Sequence, residues 1–179
     1  MRDMDENRVL ECYHKYRDTV FKLAYSYCKN HGQAEDIFQE VFYKFMVHTP
    51  KFKTVEHEKA WFIRTTINAS KDVLKTKWNK DIVRLEDWDR VDEEADGWGD
   101  VFDELRGAIL ALPEKYRVPI HLYYYEEYSV REIARLLHRT ESAIQTQLQR
   151  GREKIKQIME GSDRNDIESR YLRRSHGEC

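Results

Sequence analysis

The chain has 179 residues, 31 of them basic and 33 acidic, with a net charge of −2 and a mean hydropathy of −0.85. With 36% charged residues, it suits amphipathic helices with solvated faces, in one ordinary domain or two small ones, rather than one large core. No run approaches the roughly 18 apolar residues of a membrane span. The opening MRDMDENRVLECYHKYRD also lacks the apolar stretch of a secretory signal, so a cytoplasmic protein is expected.

The net charge hides a segregation. Residues 1–80 carry +4, residues 81–104 carry −9, residues 105–160 carry +3, and residues 161–179 balance. Two basic modules flank an acidic spacer, and that distribution says more about nucleic acid than the overall charge does.

In chain order, the first predicted helix covers about residues 6–29, with Val9, Tyr13, Tyr16, Val20, Leu23, Ala24 and Tyr27 on one face, and Asn30-His31-Gly32 stops it. The second covers about residues 33–47, with Ile37, Val41, Phe42 and Phe45 inward and Pro50 beyond its end. The third covers about residues 58–77. An acidic linker, residues 81–100, contains Trp88, Gly97, Trp98 and Gly99. A fourth helix covers residues 101–112, and Pro113 starts a fifth that runs to about residue 125. Pro119 must kink that helix or shift its start. Two short helices follow, and residues 161–179 read as a polar, frayed tail. The pattern predicts an all-α chain of two small helical domains, residues 1–80 and 101–160.

Residues 129–155, SVREIARLLHRTESAIQTQLQRGREKI, are a helix-turn-helix. Ser129 and Glu132 form a capping box, and Thr140 can cap the second helix across the turn His138-Arg139-Thr140. Ile133, Ala134, Leu136, Leu137, Ile144, Leu148 and Ile155 make the apolar faces, and the helix so presented fits a DNA major groove. Residues 34–45, AEDIFQEVFYKF, set Asp36, Gln39, Glu40 and Tyr43 at i, i+3, i+4, i+7 beside Ile37, Phe38, Val41, Phe42 and Phe45. An acidic ridge next to aromatics suits a basic protein partner better than phosphates. Residues 59–80, KAWFIRTTINASKDVLKTKWNK, mix Lys59, Arg64, Lys71, Lys75, Lys77 and Lys80 with Trp61, Phe62, Asn68 and Trp78. Cations contact phosphates and aromatic faces stack on unpaired bases, so this helix suits distorted or single-stranded DNA.

The order of these three stretches resembles the extracytoplasmic-function group of bacterial sigma factors, over about residues 6–158. In that group regions two and four are joined by a linker without region three. AEDIFQEVF is similar to the segment that docks on the clamp helices of the RNA polymerase β′ subunit. AWFIRTTINASKDVLK is similar to the strand-melting, minus-ten-reading helix, with Asn68 and Asp72 at the recurring positions. LPEKYRVPIHLYYYEEYSVREIARLLHRTESAIQTQLQRGREKI is similar to region four, which reads the minus-thirty-five element.

The resemblance implies that the chain lends promoter specificity to core polymerase and has no catalytic residues of its own. Asp36, Gln39, Glu40 and Phe42 would bind the polymerase. Trp61, Arg64, Asn68, Lys71, Asp72 and Lys75 would lie on minus-ten DNA. Arg131, Arg139, Glu141, Ser142, Gln145, Thr146, Gln147 and Arg150 would face the minus-thirty-five duplex. The loop TPKFKTVEH, residues 49–57, would cradle a flipped base; the −9 charge of the acidic linker, which mimics nucleic acid, suggests that it follows the RNA exit path. Implied partners are core RNA polymerase through its β′ clamp helices and β flap, promoter DNA, and an anti-sigma factor, commonly membrane-anchored.

Two positions depart from the group. Gln145-Thr146-Gln147 stands where Lys or Arg with Ser is common, and His138 stands where the turn usually has Gly. A response-regulator-like output domain would share the helix-turn-helix but needs strands upstream, and residues 1–100 show none. Cys12, Cys28 and Cys179 have no C-x-x-C spacing and read as reduced thiols, the first two at buried helix positions. The seven His are scattered. No metal, cofactor, small-molecule substrate or enzymatic activity is expected.

Overall fold

A computed structural model describes the backbone of residues 6–48, 50–80 and 100–175, and the side chains of residues 6–48, 50–76 and 105–161. Thr49, the side chains of Lys77, Trp78 and Lys80, and the linker up to Gly99 lie outside the described residues. Seven helices and no strand occur among them: α1 (Glu6–Cys28), α2 (His31–His48), α3 (Val55–Lys80), α4 (Asp100–Ala111), α5 (Glu114–Tyr124), α6 (Val130–Leu137) and α7 (Glu141–Ser175). The all-α expectation is met. The chain divides into two compact units, Met1–Asp96 and Gly97–Cys179.

In the first unit α1, α2 and α3 pack on one another. The apolar repeat expected of α1 is buried at Tyr16, Val20, Leu23, Ala24 and Tyr27, whereas Tyr13 is exposed at the edge of the α1–α2 seam. From α2, Ile37, Val41, Phe42 and Phe45 all enter the core. Phe62 of α3 has no exposed surface and joins the three helices. Its ring stacks on Tyr16 of α1 at 4.5 Å and lies 5.4 and 5.1 Å from Phe42 and Phe45 of α2. Truncating a ring so placed costs about 3–5 kcal/mol.

The stop between α1 and α2 differs from expectation. Lys29 takes a positive φ of 53° and its N–H bonds the Tyr25 carbonyl, so α1 ends there. Asn30 then caps α2 by accepting the Gln33 N–H at 2.9 Å, and Gly32 lies inside the new helix rather than ending the old one. α3 likewise starts earlier than expected, at Val55. Thr54 accepts the His57 N–H at 3.3 Å and supplies that cap.

In the second unit α7 packs against α4, α5 and α6. α5 begins directly after Pro113, so Pro119 does not shift its start; the helix runs through Pro119, which is buried. Gly151 of α7 is buried against α5, and an added Cβ would meet Ile120 Cγ1 at 3.0 Å. α7 does not fray at residue 161 but continues to Ser175. The segment after Gly151 has no proline, and Gly161, costing about 1 kcal/mol, does not break the helix.

Arg117 is 3% exposed. Its guanidinium donates to the Leu110 carbonyl at 3.3 Å and to the Leu112 carbonyl, satisfying acceptors at the C-terminal end of α4, where the helix dipole favours a cation. Replacing Arg117 with Met keeps the stem and removes the donors. It should lower the stability of this unit by about 2–3 kcal/mol, read as faster hydrogen exchange at its core amides.

Candidate nucleic-acid interface

Three surfaces carry the residues singled out in the sequence. On α2, Asp36, Gln39 and Tyr43 are exposed and Glu40 is half-buried. Glu40 holds Lys44 one turn away, so its charge is already partly answered within the helix. Phe42 is not an exposed anchor. It is buried between Tyr13 of α1, Phe62 of α3 and its own-helix neighbour Phe38, because it lies where α1 and α3 both reach α2. The apolar groups that α2 does offer to a partner are Tyr43, Met46 and Val47, of which Tyr43 is 63% exposed.

On α3 the buried positions Phe62, Ile63, Thr66, Ile67, Ala69 and Ser70 fix one face. The opposite face presents Arg64, Asn68, Asp72 and Lys75 as exposed groups, with Lys71 half-exposed. These recur at helical spacing, so they form one continuous strip. Lys75 and Asp72 approach to 3.9 Å, both highly exposed, which leaves either free to exchange its partner for a phosphate or a base. Trp61 heads the strip half-buried, its ring against Phe45, Phe52 and Phe62.

The start of α3 is tied to α1. Glu58 Oε1 accepts from Lys15 Nζ and from Tyr16 Oη, each at 2.9 Å. Burial pushes the Glu58 carboxyl up, but these two bonds outweigh it and hold the group below its ordinary value. Burial, first, pushes the Tyr16 phenol up to about 12. The bonds to Tyr16 and Glu58 hold Lys15 above its usual range.

In the second unit the capping box is present as read: Ser129 N–H donates to Glu132 Oε2 at 2.9 Å and Glu132 N–H to Ser129 Oγ at 3.3 Å. Thr140 caps α7 by accepting the Ala143 N–H at 3.1 Å. Between them α6 closes in a Schellman turn, Arg139 N–H to the Ala134 carbonyl and His138 N–H to the Arg135 carbonyl. The left-handed residue in that turn is His138, at φ 55° and ψ 50°. Arg131, Arg139, Glu141, Ser142, Gln145, Thr146 and Arg150 are exposed, and Gln147 is half-buried. Two residues apart on a helix means about 160° apart around it, so Gln145 and Gln147 do not share a face. Gln145 goes with Ser142, Thr146 and Gln149, the last not among the residues expected on the minus-thirty-five duplex; Gln147 goes with Ala143 and Arg150. Arg150 lies beside Tyr116. Burial raises the Tyr116 phenol, but Arg150 and Lys115 outweigh that and hold it below its ordinary value.

Among the described residues there is no group of His, Cys, Asp or Glu that could hold a metal, and no helix long and apolar enough to cross a membrane.

With this geometry in place, the comparisons with known proteins are specific. Residues 12–80 match the family model for sigma-70 region 2, and residues 102–155 match that for sigma-70 region 4. The chain is 31% identical over 128 residues to the RNA polymerase sigma factor SigZ of Bacillus subtilis, covering 71% of this chain and 73% of that protein. It is 27% identical over 155 residues to the ECF sigma factor SigW of the same organism, covering 79% and 83%. The sigma factor RpoE of Bartonella quintana, solved with the anti-sigma factor NepR, shares the fold. Its TM-score is 0.69 at 18% identity, over 87% of this chain and 96% of that one.

A non-glycine residue in the left-handed region costs about 1–2 kcal/mol, part of which glycine gives back through its freer unfolded chain. His138→Gly should therefore stabilise the helix-turn-helix by about 0.5–1 kcal/mol, measured as slower hydrogen exchange in α6 and the first turns of α7.

Proposed function

Because the chain belongs to the extracytoplasmic-function group of RNA polymerase sigma factors, we propose that its three exposed strips divide the work of promoter recognition among themselves. As a sigma factor the protein gives core RNA polymerase its promoter specificity. It reads the minus-thirty-five and minus-ten elements and takes part in opening the DNA. The response-regulator reading is not favoured.

The observation that carries the assignment of residues is the strip on α3. Arg64, Asn68, Lys71, Asp72 and Lys75 line one accessible face of a helix whose other face is locked in the core. Cations there would hold the phosphates of the minus-ten element. Asn68 and Asp72 would meet base edges, and the half-buried Trp61 would close the upper end of the strip. The loop before α3 would take a base flipped from the non-template strand, at a cost of a few kcal/mol that weakly stacked A·T-rich steps keep low.

The exposed face of α7 would enter the major groove at the minus-thirty-five element. Gln145 would read bases, since Gln pairs bidentately with adenine. Gln147, half-buried on the other flank, would support the helix more than it reads DNA. Arg131, Arg139 and Arg150 would hold phosphates, Glu141 and Ser142 would sit at the helix start, and Thr146 would lie on the reading face.

The α2 ridge would dock on the β′ clamp helices. Asp36, Gln39 and Glu40 would orient the contact, with Tyr43, Met46 and Val47 as its apolar anchors; Phe42 would act from the core by holding the ridge in place. A groove of about 490 Å³ in the second unit, lined by Leu105, Ile109, Ile120, Tyr124, Ile155 and Met159 with Arg152, Lys156 and Glu160, would receive an apolar side of the β flap. The protein would work in the cytoplasm, where its polymerase is. An anti-sigma factor, membrane-anchored in many members of the group, would cover the same surfaces. The Bartonella sigma factor solved with its anti-sigma factor NepR supports an anti-sigma partner. Catalysis would belong to the polymerase alone.

Two experiments test these assignments. Asp36→Arg combined with Glu40→Arg should abolish promoter-dependent run-off transcription and co-purification with core polymerase while the helical circular dichroism is unchanged; retained co-purification would remove the ridge from the clamp contact. Gln145→Ala should alter preference at one position of the minus-thirty-five element, where a mismatched pair is worth about 1–3 kcal/mol. An unchanged preference profile would exclude base reading by Gln145.

A further inference from the structure

The segment between α2 and α3 is braced from a distance. Arg8, in the first turns of α1, donates from its guanidinium to the Pro50 carbonyl at 3.1 Å, and the same guanidinium lies 5.8 Å from the centre of the Phe52 ring. Phe52 in turn meets Trp61 at 6.1 Å. Lys15 and Tyr16 of α1 hold Glu58 in the first turn of α3, just beyond the segment. Arg8 and Lys15 are seven residues apart, two turns along one face of α1 and about 10 Å along its axis. α1 therefore holds the segment itself at Pro50 and Phe52 and, through Glu58, the first turn of the helix that follows it. Between the grips Lys51, Lys53, Thr54, Val55, Glu56 and His57 are all exposed.

The three-helix core is held by the rings around Phe62, of which Tyr16 is one and Arg8 is not. Arg8 is half-buried, and its hydrogen bond and its ring contact both fall on the loop. A carbonyl bond and a cation over a ring fix a backbone's position rather than its existence. That is the requirement of a loop that must discriminate among ligands, because a binding loop reads shape only when its own conformations are few.

We propose that Arg8 is a positioning residue for base capture: from α1 it sets the register of the residue 50–54 loop, and through that register it sets how sharply the captured minus-ten base is discriminated. The inference rests on the reading of this loop as the base cradle. It places a specificity determinant in a helix that meets no DNA in that reading.

The test uses the full chain bound to core polymerase on promoters that differ at a single minus-ten base, with strand opening followed by permanganate reactivity of unpaired thymines. Wild type should separate matched from mismatched promoters by roughly 5- to 150-fold, the range of one base-pair mismatch. Arg8→Ala should reduce that ratio by about fivefold or more, with core affinity unchanged, and Arg8→Lys, which keeps a donor and a cation, should recover most of it. An unchanged ratio in Arg8→Ala overturns the proposal, as does a fall accompanied by loss of core binding, which would be a folding effect. Lys51→Ala with Lys53→Ala separates the two levels. If this pair weakens opening on every promoter while Arg8→Ala keeps the wild-type ratio, the cradle stands and the bracing fails. If the pair changes nothing, the cradle reading fails and the proposal fails with it.

Discussion

The contact on which the first unit depends is the ring of Phe62 against Tyr16, Phe42 and Phe45. One side chain of α3 thereby fixes its rotation against α1 and α2 together. Aromatic pairs of this kind contribute about 0.5–1.5 kcal/mol each beyond area burial. Once the rotation is fixed, helical periodicity leaves no choice about what faces out: Arg64, Asn68, Asp72 and Lys75 lie opposite the buried positions. The same cluster withdraws Phe42 from the surface and leaves Tyr43 on it. A single packing decision thus orients both the strip assigned to DNA and the ridge assigned to polymerase.

The second unit reaches the same end by different means. Its recognition helix is placed by backbone geometry: a capping box, a Schellman turn and a threonine cap, followed by a close crossing where Gly151 lets α7 approach Ile120. Arg117, buried under the end of α4, ties that helix to α5 through main-chain carbonyls. Rigid placement matters more than charge here. A reader that arrives on polymerase needs little phosphate attraction of its own, which agrees with the sparse cations of its Gln-rich helix.

Local features were legible in the sequence because their causes are local. Ser129 with Glu132, Thr140, the unusual His138 and the apolar repeats of α1, α2 and α6 all act within one or two helical turns. The order of the acidic-aromatic, basic-aromatic and helix-turn-helix stretches carried the family. What escaped depends on partners far along the chain or on competition between neighbours. Asn30 outcompeted Gly32 at the α1–α2 junction because its side chain could cap the following helix. From sequence, Phe42 is expected both inward and on polymerase; which apolar side chains of α2 stay exposed depends on α1 and α3, and they bury Phe42 while leaving Tyr43, Met46 and Val47 out. Arg117 and Arg8 look like ordinary surface cations until carbonyls 5–7 and 42 residues away come into reach. The continuation of α7 to Ser175 follows from the absence of a stop signal, and polar composition hid it.

The separation of duties on α7 has an evolutionary consequence. Ile144, Leu148 and Gly151 hold the helix in the fold, while Ser142, Gln145, Thr146 and Gln149 make no part of the core. Substitutions at such surface positions usually change stability by less than about 0.5 kcal/mol. A lineage carrying this fold can therefore drift through alternative reading faces at almost no thermodynamic penalty, so that duplicated copies can diverge in the genes they serve long before their scaffolds diverge.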